Sequence, residues 1–181
     1  MAHSAEIVLP EDKPAWEWVR GRALQKVSPK YTHAHLQSVL SVAFLAWAEG
    51  RGRTGSEWRF RVTPPGEVTR PLVPDVAYLS YERLAADAED AAEEPLMAPE
   101  VAVEILSAGD RRVDVDHKIG VYLAAGSALV VLVDPKRRIL EAHDPHGHRI
   151  VANDEVFSHR ALPGFSIQVS RLFQRPQATP R

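Results

Sequence analysis

Along the chain, the spacing of apolar residues changes between helical and strand-like periods. In residues 32–49, apolar side chains recur every three or four positions, which predicts a helix with Thr32 as its N-cap and Val42 among its recurring apolar positions. Residues 56–63 instead alternate apolar with charged side chains, which is typical of a half-buried strand. Residues 111–125 again have helical spacing and are followed by a glycine that would end the helix.

Two further segments are apolar on both faces, which predicts strands at the centre of a sheet. They are residues 100–106, EVAVEIL, and residues 127–134. A strand over residues 72–80 is interrupted by Pro74, and residues 139–145 follow a turn as the return strand of a hairpin. The order helix, three strands, helix and two strands favours the α/β class, with a mixed central β-sheet flanked by helices.

The length of 181 residues suits one domain with a sizeable core. Residues 1–14 are expected to be a lead-in, residues 15–173 to form the folded domain, and residues 174–181 to be a polar tail. The domain is expected to begin with a short hairpin over residues 16–29.

Composition excludes several classes of protein. The sequence contains no cysteine, so disulfide frameworks, thiolate metal sites and cysteine nucleophiles are not available. The N-terminus lacks the basic and apolar regions of a secretory signal. The most apolar stretch, residues 39–48, is about half as long as a membrane-spanning helix. We therefore expect a cytoplasmic protein with no membrane partner.

The net charge of −2 does not by itself indicate a nucleic-acid-binding protein. The acids are concentrated in residues 82–100, which hold seven acids and one base, so the remainder of the chain is mildly basic. Basic clusters occur within residues 51–61 and at residues 136–138. The simpler interpretation of these clusters is that they are scattered surface bases.

Three charged residues lie where a purely structural account does not explain them. Asp75 follows a proline inside a strand, Glu104 lies near the end of the central apolar strand, and Lys118 lies on the next helix. If the two strands are neighbours, the carboxylates of Asp75 and Glu104 can converge, and a cation between them would relieve their repulsion. A hard divalent ion, magnesium or manganese, suits such oxygen ligands. Lys118 would then offer a positive charge to a phosphate or to an attacking water.

Structural alternatives exist for each of these residues. Glu104 could form a buried ion pair with Arg111 or Arg112. Asp114 and Lys118 are four residues apart, so they could form an ordinary exposed helix pair.

Other motifs give weaker signals. Three histidines and an aspartate in HDPHGH, residues 143–148, could suggest zinc, but a hairpin tip carries small polar residues in any case. The sequence has neither the G-x-S-x-G elbow of hydrolases nor the glycine-rich loops that bind nucleotides.

Five stretches of the chain match a known family in order and spacing. They are WEWVRGRALQKVSPKYTHAHLQ, LVPDVAYL, EVAVEILSAGDRRVDVDHKIGVYLAAG, VVLVDPKRRILEAHDP and LPGFSIQVSRLF, which together cover roughly residues 15–173. With these stretches the chain resembles the Uma-two family of bacterial endonucleases, a branch of the PD-(D/E)XK restriction-endonuclease-like superfamily. The resemblance implies a restriction-endonuclease-like α/β core, in agreement with the order of elements predicted above.

The resemblance also implies roles for individual residues. Asp75 takes the place of the PD aspartate and Glu104 that of the second acidic residue. The superfamily pattern would place lysine two residues later, where this chain has Leu106, and in this branch Lys118 on the following helix replaces it. Arg22 is a further departure, because many relatives have an acid at this position of the first hairpin.

The implied activity is magnesium- or manganese-dependent hydrolysis of phosphodiester bonds, most simply in DNA. Asp75, Glu104 and the backbone carbonyl of Ile105 would hold the ion, and Lys118 would position the nucleophile and stabilise the transition state. A set of neighbouring polar residues is expected to line the same cleft, namely His33, His35, Gln37 and Asp114. A homodimer would allow both strands to be engaged. The alternative is a nuclease-fold interaction module without catalytic activity.

Overall fold

The computed structural model describes residues 6–174, so part of the expected lead-in and nearly all of the expected tail lie outside the described residues. The strands are β1 (Trp16–Val19), β2 (Arg22–Gln25), β3 (Gly52–Ser56), β4 (Phe60–Val62), β5 (Arg70–Leu72), β6 (Val76–Ser80), β7 (Val101–Ile105), β8 (Leu129–Asp134), β9 (Ile139–Asp144), β10 (Gly147–Val151), β11 (Val156–Phe157) and β12 (Ile167–Gln168). The helices are α1 (Tyr31–Ala48), α2 (Glu89–Glu93), α3 (Arg112–Ala124) and α4 (Val169–Leu172).

Six strands form a mixed central sheet in the order β10-β9-β8-β7-β6-β3. β7 runs parallel to β8, and the other neighbouring strands are antiparallel. All five residues of β7 and all six of β8 are buried, because the sheet is covered on both faces. The predicted α/β class with a mixed central sheet flanked by helices is confirmed.

The two faces of β7 pack against different helices. Val103 and Ile105 belong to the hydrophobic cluster that contains the buried residues of α1, whereas Ala102 belongs to the cluster that contains Val115 and Ile119 of α3. Because side chains alternate along a strand, Glu104 lies on the face covered by α3. The strand therefore directs its one charged side chain towards α3.

The helix predicted over residues 32–49 is present as α1, but its start and buried face differ from the prediction. Lys30 is the N-cap residue and no side chain caps the helix, so Thr32 does not have the predicted role. The buried face consists of Leu36, Leu40, Phe44 and Ala48, four residues apart, whereas the side chain of Val42 is 67% exposed. Residue 42 lies roughly 200° around the helix from residue 40, so the two cannot share one face.

Two predicted strands are each divided in the structure. The segment 56–63 contains the end of β3 and the whole of β4, separated by residues 57–59, where Glu57 has a positive φ of 50°. The segment 72–80 is divided at Pro74 between β5 and β6. β4 and β5 pair with each other as a separate antiparallel ribbon, because a proline cannot donate to a continuous ladder.

The hairpin predicted over residues 16–29 is formed by β1 and β2, which pair antiparallel. Its two-residue turn consists of Arg20 and Gly21, with φ values of 50° and 75°. Consecutive positive φ values are those of a type I′ turn, whose twist matches the twist of the two strands. β1 lies against β5, which connects the hairpin to the rest of the domain.

Of the helices between residues 6 and 174, none combines the length and the hydrophobicity that a membrane crossing requires.

A half-exposed arginine bound to a buried carboxylate fixes β9 to the beginning of α3. The guanidinium of Arg112 donates to both carboxylate oxygens of Glu141, at 3.0 and 2.7 Å, and Arg137 donates to the same carboxylate at 3.2 Å. Glu141 is buried, and the hydrogen bonds from Arg112 lower the pKa of its carboxyl below the ordinary value of 4.5.

This pair predicts a pH-dependent contribution to stability. Because the pKa of Glu141 is lower in the folded chain than in the unfolded chain, its ionisation stabilises the fold above about pH 4.5, and this contribution is lost as the pH falls through the folded-state pKa. Glu141→Gln is expected to lower the free energy of unfolding by about 1 kcal/mol at neutral pH, since Arg112 is half exposed, and by less in acid. Urea unfolding at both pH values measures this; an equal loss at each would contradict it.

Candidate active site

Asp75, the residue before β6, and Glu104 of β7 lie side by side at one end of the central sheet. Val76 is opposite Val103 in the antiparallel pair β6–β7, so the register continues with Asp75 opposite Glu104. The backbone N–H of Asp75 donates to the carbonyl of Val103 at 3.0 Å. The expectation that these two strands are neighbours is therefore met.

The carboxylate of Asp75 is buried and accepts hydrogen bonds from three segments of the chain. Lys26 donates to Oδ1 at 2.6 Å, the backbone N–H of Ile105 donates to Oδ2 at 2.7 Å, and Nε2 of His33 lies 3.2 Å from Oδ2. Burial would raise the pKa of Asp75, but the charge of Lys26 and the contact with His33 outweigh it and hold that pKa well below its usual range. Asp75 is therefore ionised at neutral pH.

Glu104 is held from α3. The ammonium of Lys118 lies 2.7 Å from its carboxylate, and the hydroxyl of Tyr122 donates to Oε1 at 3.2 Å. Burial raises the pKa of Glu104 to about 7, although Lys118 acts in the opposite direction. The proposed arginine partner for Glu104 is wrong, because Lys118 and Tyr122 bind its carboxylate. Arg112 binds Glu141 instead, and Arg111 lies beside Asp114.

Lys118 is buried between two carboxylates. Its ammonium lies 2.8 Å from Glu17 and 2.7 Å from Glu104. Burial alone would lower the pKa of Lys118, but these two carboxylates raise it above its ordinary value, so the lysine is charged. The alternative of an exposed pair with Asp114 is wrong: both residues are buried by packing of α3 on the sheet, and Asp114 binds Arg22 at 2.8 Å instead.

The sequence did not reveal two charged members of this cluster. Glu17 of β1 is buried, accepts a hydrogen bond from the backbone N–H of Val73 at 2.8 Å and binds Lys118. Lys26, which follows β2, donates to Asp75 and to the carbonyl of Val73 at 3.0 Å.

Tyr122 is a third residue that the sequence analysis did not assign to the site. Its spacing could have indicated it, because a residue four positions after Lys118 lies on the same helix face.

The polar residues of α1 divide between the site and other places. His33 contacts Asp75, and Gln37 donates to the backbone carbonyl of Asp75 at 2.9 Å, where it supports the strand. His35 does not join them: its Nε2 lies 3.1 Å from the carbonyl of Gln174. Residues i and i+2 of a helix lie roughly 200° apart around its axis, so His33 and His35 cannot face the same cleft.

A cavity of about 290 Å³ opens beside these side chains. Its charged lining comprises six acids, Glu17, Glu57, Asp75, Glu104, Asp110 and Asp114, and four permanent cations, Arg22, Lys26, Arg111 and Lys118. The excess of carboxylates favours a cation within the cavity.

The donor atoms present fit a hard divalent ion. Asp75 and Glu104 supply carboxylate oxygens, which magnesium prefers, and magnesium usually takes only one or two carboxylates and completes its shell with water and substrate. Between residues 6 and 174, no three acidic or histidine side chains form a ready-made metal cage. Ile105 contacts Asp75 through its N–H, and the role of its carbonyl as a metal ligand stays a prediction.

The histidine-rich hairpin tip, residues 143–148, lies elsewhere. β9 runs antiparallel to β8, so its turn into β10 is at the opposite end of the sheet from Asp75 and Glu104. There the carboxylate of Asp144 accepts hydrogen bonds from the backbone N–H of His146 and from Arg160.

Comparison with known proteins shows the family of this chain. The model of the Uma2 family, described as "Putative restriction endonuclease", matches residues 6–170. A crystal structure of "a putative nuclease belonging to DUF820" from Anabaena variabilis ATCC 29413 has a TM-score of 0.80 and 24% sequence identity, and covers 91% of this chain and 93% of that chain. At this identity the likeness shows the fold alone. No curated protein matches. Because the family match spans most of its length, the chain belongs to the Uma2 family.

Proposed function

We propose that this protein is a divalent-metal-dependent nuclease that hydrolyses phosphodiester bonds, with DNA as its first expected substrate. One observation carries the proposal: Asp75, Glu104 and Lys118 lie around a single open cavity at the end of the central sheet, although they come from three different elements. Buried, charged residues that converge on a cleft are typical of catalytic sites. Membership of the Uma2 family supports the same activity.

The side chains around the cavity divide the chemical work. Magnesium or manganese, held by Asp75 and Glu104, would supply Lewis-acid activation of water and neutralise charge on the phosphate. Lys26, His33 and the N–H of Ile105 fix the orientation of the Asp75 carboxylate. Lys118 and Tyr122 do the same for Glu104.

Lys118 has a second role in this proposal. An ammonium has three N–H donors, and this one is already oriented by two carboxylates at the wall of the cavity. It can donate to the attacking water or to a phosphate oxygen as negative charge develops in the transition state. Such preorganised donors are worth roughly 100- to 1,000-fold in rate.

A non-catalytic interaction module is the second candidate, and a specific feature favours it. Asp75 is already paired with Lys26, and Glu104 with Lys118, so both acids are neutralised by the chain itself. A domain that only binds a partner could be stable in this form without any metal.

A cleavage assay separates these candidates. Purified wild-type protein is incubated with supercoiled plasmid, single-stranded DNA and RNA in magnesium, manganese or EDTA. We expect cleavage in metal, none in EDTA, and a loss of at least about 100-fold in Asp75→Asn. Glu141→Gln is the matched control, because it also removes a buried, paired carboxylate from the central sheet and lies outside the cavity lining.

Two outcomes would refute the nuclease proposal. Cleavage in EDTA would remove its metal dependence, and full activity in Asp75→Asn would remove the proposed site. Weak metal binding, together with no cleavage of any of the three substrates, would favour the interaction module.

A further inference from the structure

Three arginines converge on one carboxylate at the rim of the active-site cavity. Asp114 binds Arg22 at 2.8 Å and Arg20 at 3.4 Å, and Nε of Arg111 lies 3.9 Å from the same carboxylate. Asp114 is buried, whereas the side chains of the arginines are 42–62% exposed. Three positive charges therefore surround the one negative charge of Asp114, within a cavity whose lining as a whole has more acids than bases.

The three arginines have N–H donors that are not used in binding Asp114. Each guanidinium has five N–H donors, and each of these three approaches Asp114 through a single nitrogen. Between residues 6 and 174, the structure records no other hydrogen-bond partner for these guanidinium groups. A planar, exposed fork of this kind matches the oxygens of a phosphate group.

The backbone at Arg20 is unfavourable for arginine. Arg20 is the first residue of the type I′ turn, with a φ of 50°, where asparagine, aspartate and glycine are preferred. A non-glycine residue held in a left-handed conformation costs free energy and is often found at functional sites. The turn therefore keeps an arginine where a better turn residue would serve the fold.

The arginines lie beside the groups proposed to act on the phosphate. Arg22, Arg111 and Asp114 line the same cavity as Asp75 and Lys118. A nucleic-acid strand with one phosphate beside Lys118 would have its next phosphate within reach of the rim. Asp114 lies about one helical turn, roughly 5.4 Å, from Lys118 on α3, which is of the order of one step along a nucleic-acid backbone.

We propose that Arg20, Arg22 and Arg111 form a clamp that binds a backbone phosphate of the substrate next to the cleaved bond, with Asp114 as the residue that positions them. This inference rests on the proposed function, because it assigns the contact that holds the strand in the same cavity. The clamp recognises the phosphodiester group shared by DNA and RNA and carries no sequence information.

The test is binding without cleavage. Labelled DNA and RNA strands are titrated in EDTA at several salt concentrations against wild type, Arg111→Ala, Arg22→Ala and Arg20→Asn. We expect each variant to bind about tenfold more weakly, and the slope of log affinity against log salt to fall by about one. Arg20→Asn is expected to unfold at the same or higher urea concentration than wild type, since asparagine suits the turn, so its weaker binding cannot come from misfolding.

A matched control is available at the other end of the sheet. Arg160 is 63% exposed and bound to Asp144 at 3.1 Å, much as Arg111 is 62% exposed beside Asp114. Arg160→Ala should bind like wild type. If it weakens binding as much as Arg111→Ala does, the effect is general charge and the clamp is refuted.

Asp114→Asn tests the positioning role of Asp114, because the two explanations predict opposite changes in the affinity for nucleic acid. Loss of a negative charge near phosphate should strengthen binding if only net charge matters, whereas loss of orientation should weaken it. We expect weaker binding; tighter binding would overturn the role of Asp114.

The inference and the nuclease proposal can fail separately. Cleavage by wild type with unchanged binding in the arginine variants would refute the clamp alone. If binding depends on the arginines but no divalent metal supports cleavage, the clamp inference is retained and the nuclease proposal is refuted. A wild-type protein that binds neither DNA nor RNA in EDTA at low salt refutes the clamp, and the cleavage assay in metal still decides the nuclease proposal.

Discussion

Lys118→Met is expected to lower the free energy of unfolding by about 3–5 kcal/mol, the largest stability effect predicted for this protein. Lys118 is the cation between Glu17 and Glu104, both of which are buried. Methionine fills a similar volume but removes the cation between the two acids. Glu104, whose pKa is already about 7, must then take up a proton or remain as an unpaired buried charge beside Glu17. Urea unfolding followed by circular dichroism measures the change.

Two further variants make this result specific. Lys136→Met removes an exposed lysine and should change stability by less than about 0.5 kcal/mol. Adding Glu17→Gln and Glu104→Gln to Lys118→Met removes the unpaired charges and should restore much of the lost stability. If Lys118→Met unfolds at the urea concentration of the wild type, the buried triad does not contribute as the contacts indicate.

Glu104→Gln is expected to lower the rate of cleavage by at least about 100-fold. The fold of this variant should be as stable as that of the wild type or more stable. Burial raises the pKa of Glu104 to about 7, so at neutral pH the ionised form of this carboxyl is held in an environment that disfavours charge. Glutamine has the same shape, keeps a carbonyl oxygen for Lys118 and Tyr122, and removes the buried charge. Lys118 keeps its contact with Glu17 in this variant.

The control variant, Glu141→Gln, is expected to show the opposite changes in stability and cleavage. Glu141→Gln should lose stability and keep cleavage, because the guanidinium of Arg112 binds Glu141 in two places and the pair lies outside the cavity lining. Activity in Glu104→Gln equal to that of the wild type would show that Glu104 is a structural residue only. Plasmid nicking rates and urea midpoints, measured on the same preparations, give both results.

The sequence predicted those site residues that are exceptions to the apolar pattern of their own strand. Glu104 was recognisable because it interrupts an apolar strand, and Asp75 because it follows a proline inside another. Glu17 and Lys26 break no such rule. They belong to the site because Glu17 meets Lys118 from 101 residues away and Lys26 meets Asp75 from 49 residues away. Periodicity contains no information about such distant contacts.

The same reasoning explains the errors in the fold. Periodicity identified the long elements, including α1, α3, β7 and β8, because many residues contribute to each signal. The phase of α1 was wrong, since alanines and valines occur on all sides of a helix whose buried face is defined by Leu36, Leu40 and Phe44. The divisions at Glu57 and Pro74 depend on a few backbone angles, which hydrophobic patterning does not determine.

The contacts of Asp75 have a consequence for the order in which the protein can become active. Its side chain and carbonyl are bound by partners that are 30 to 49 residues away along the chain, and Glu104 is bound from a helix that begins after it. A nascent chain that has emerged only as far as β7 therefore lacks Lys118 and cannot assemble the cluster. Long-range contacts of this kind form late in folding, because the chain must first close large loops. A nuclease built in this way would be harmless to nearby nucleic acid until its synthesis and folding are nearly complete.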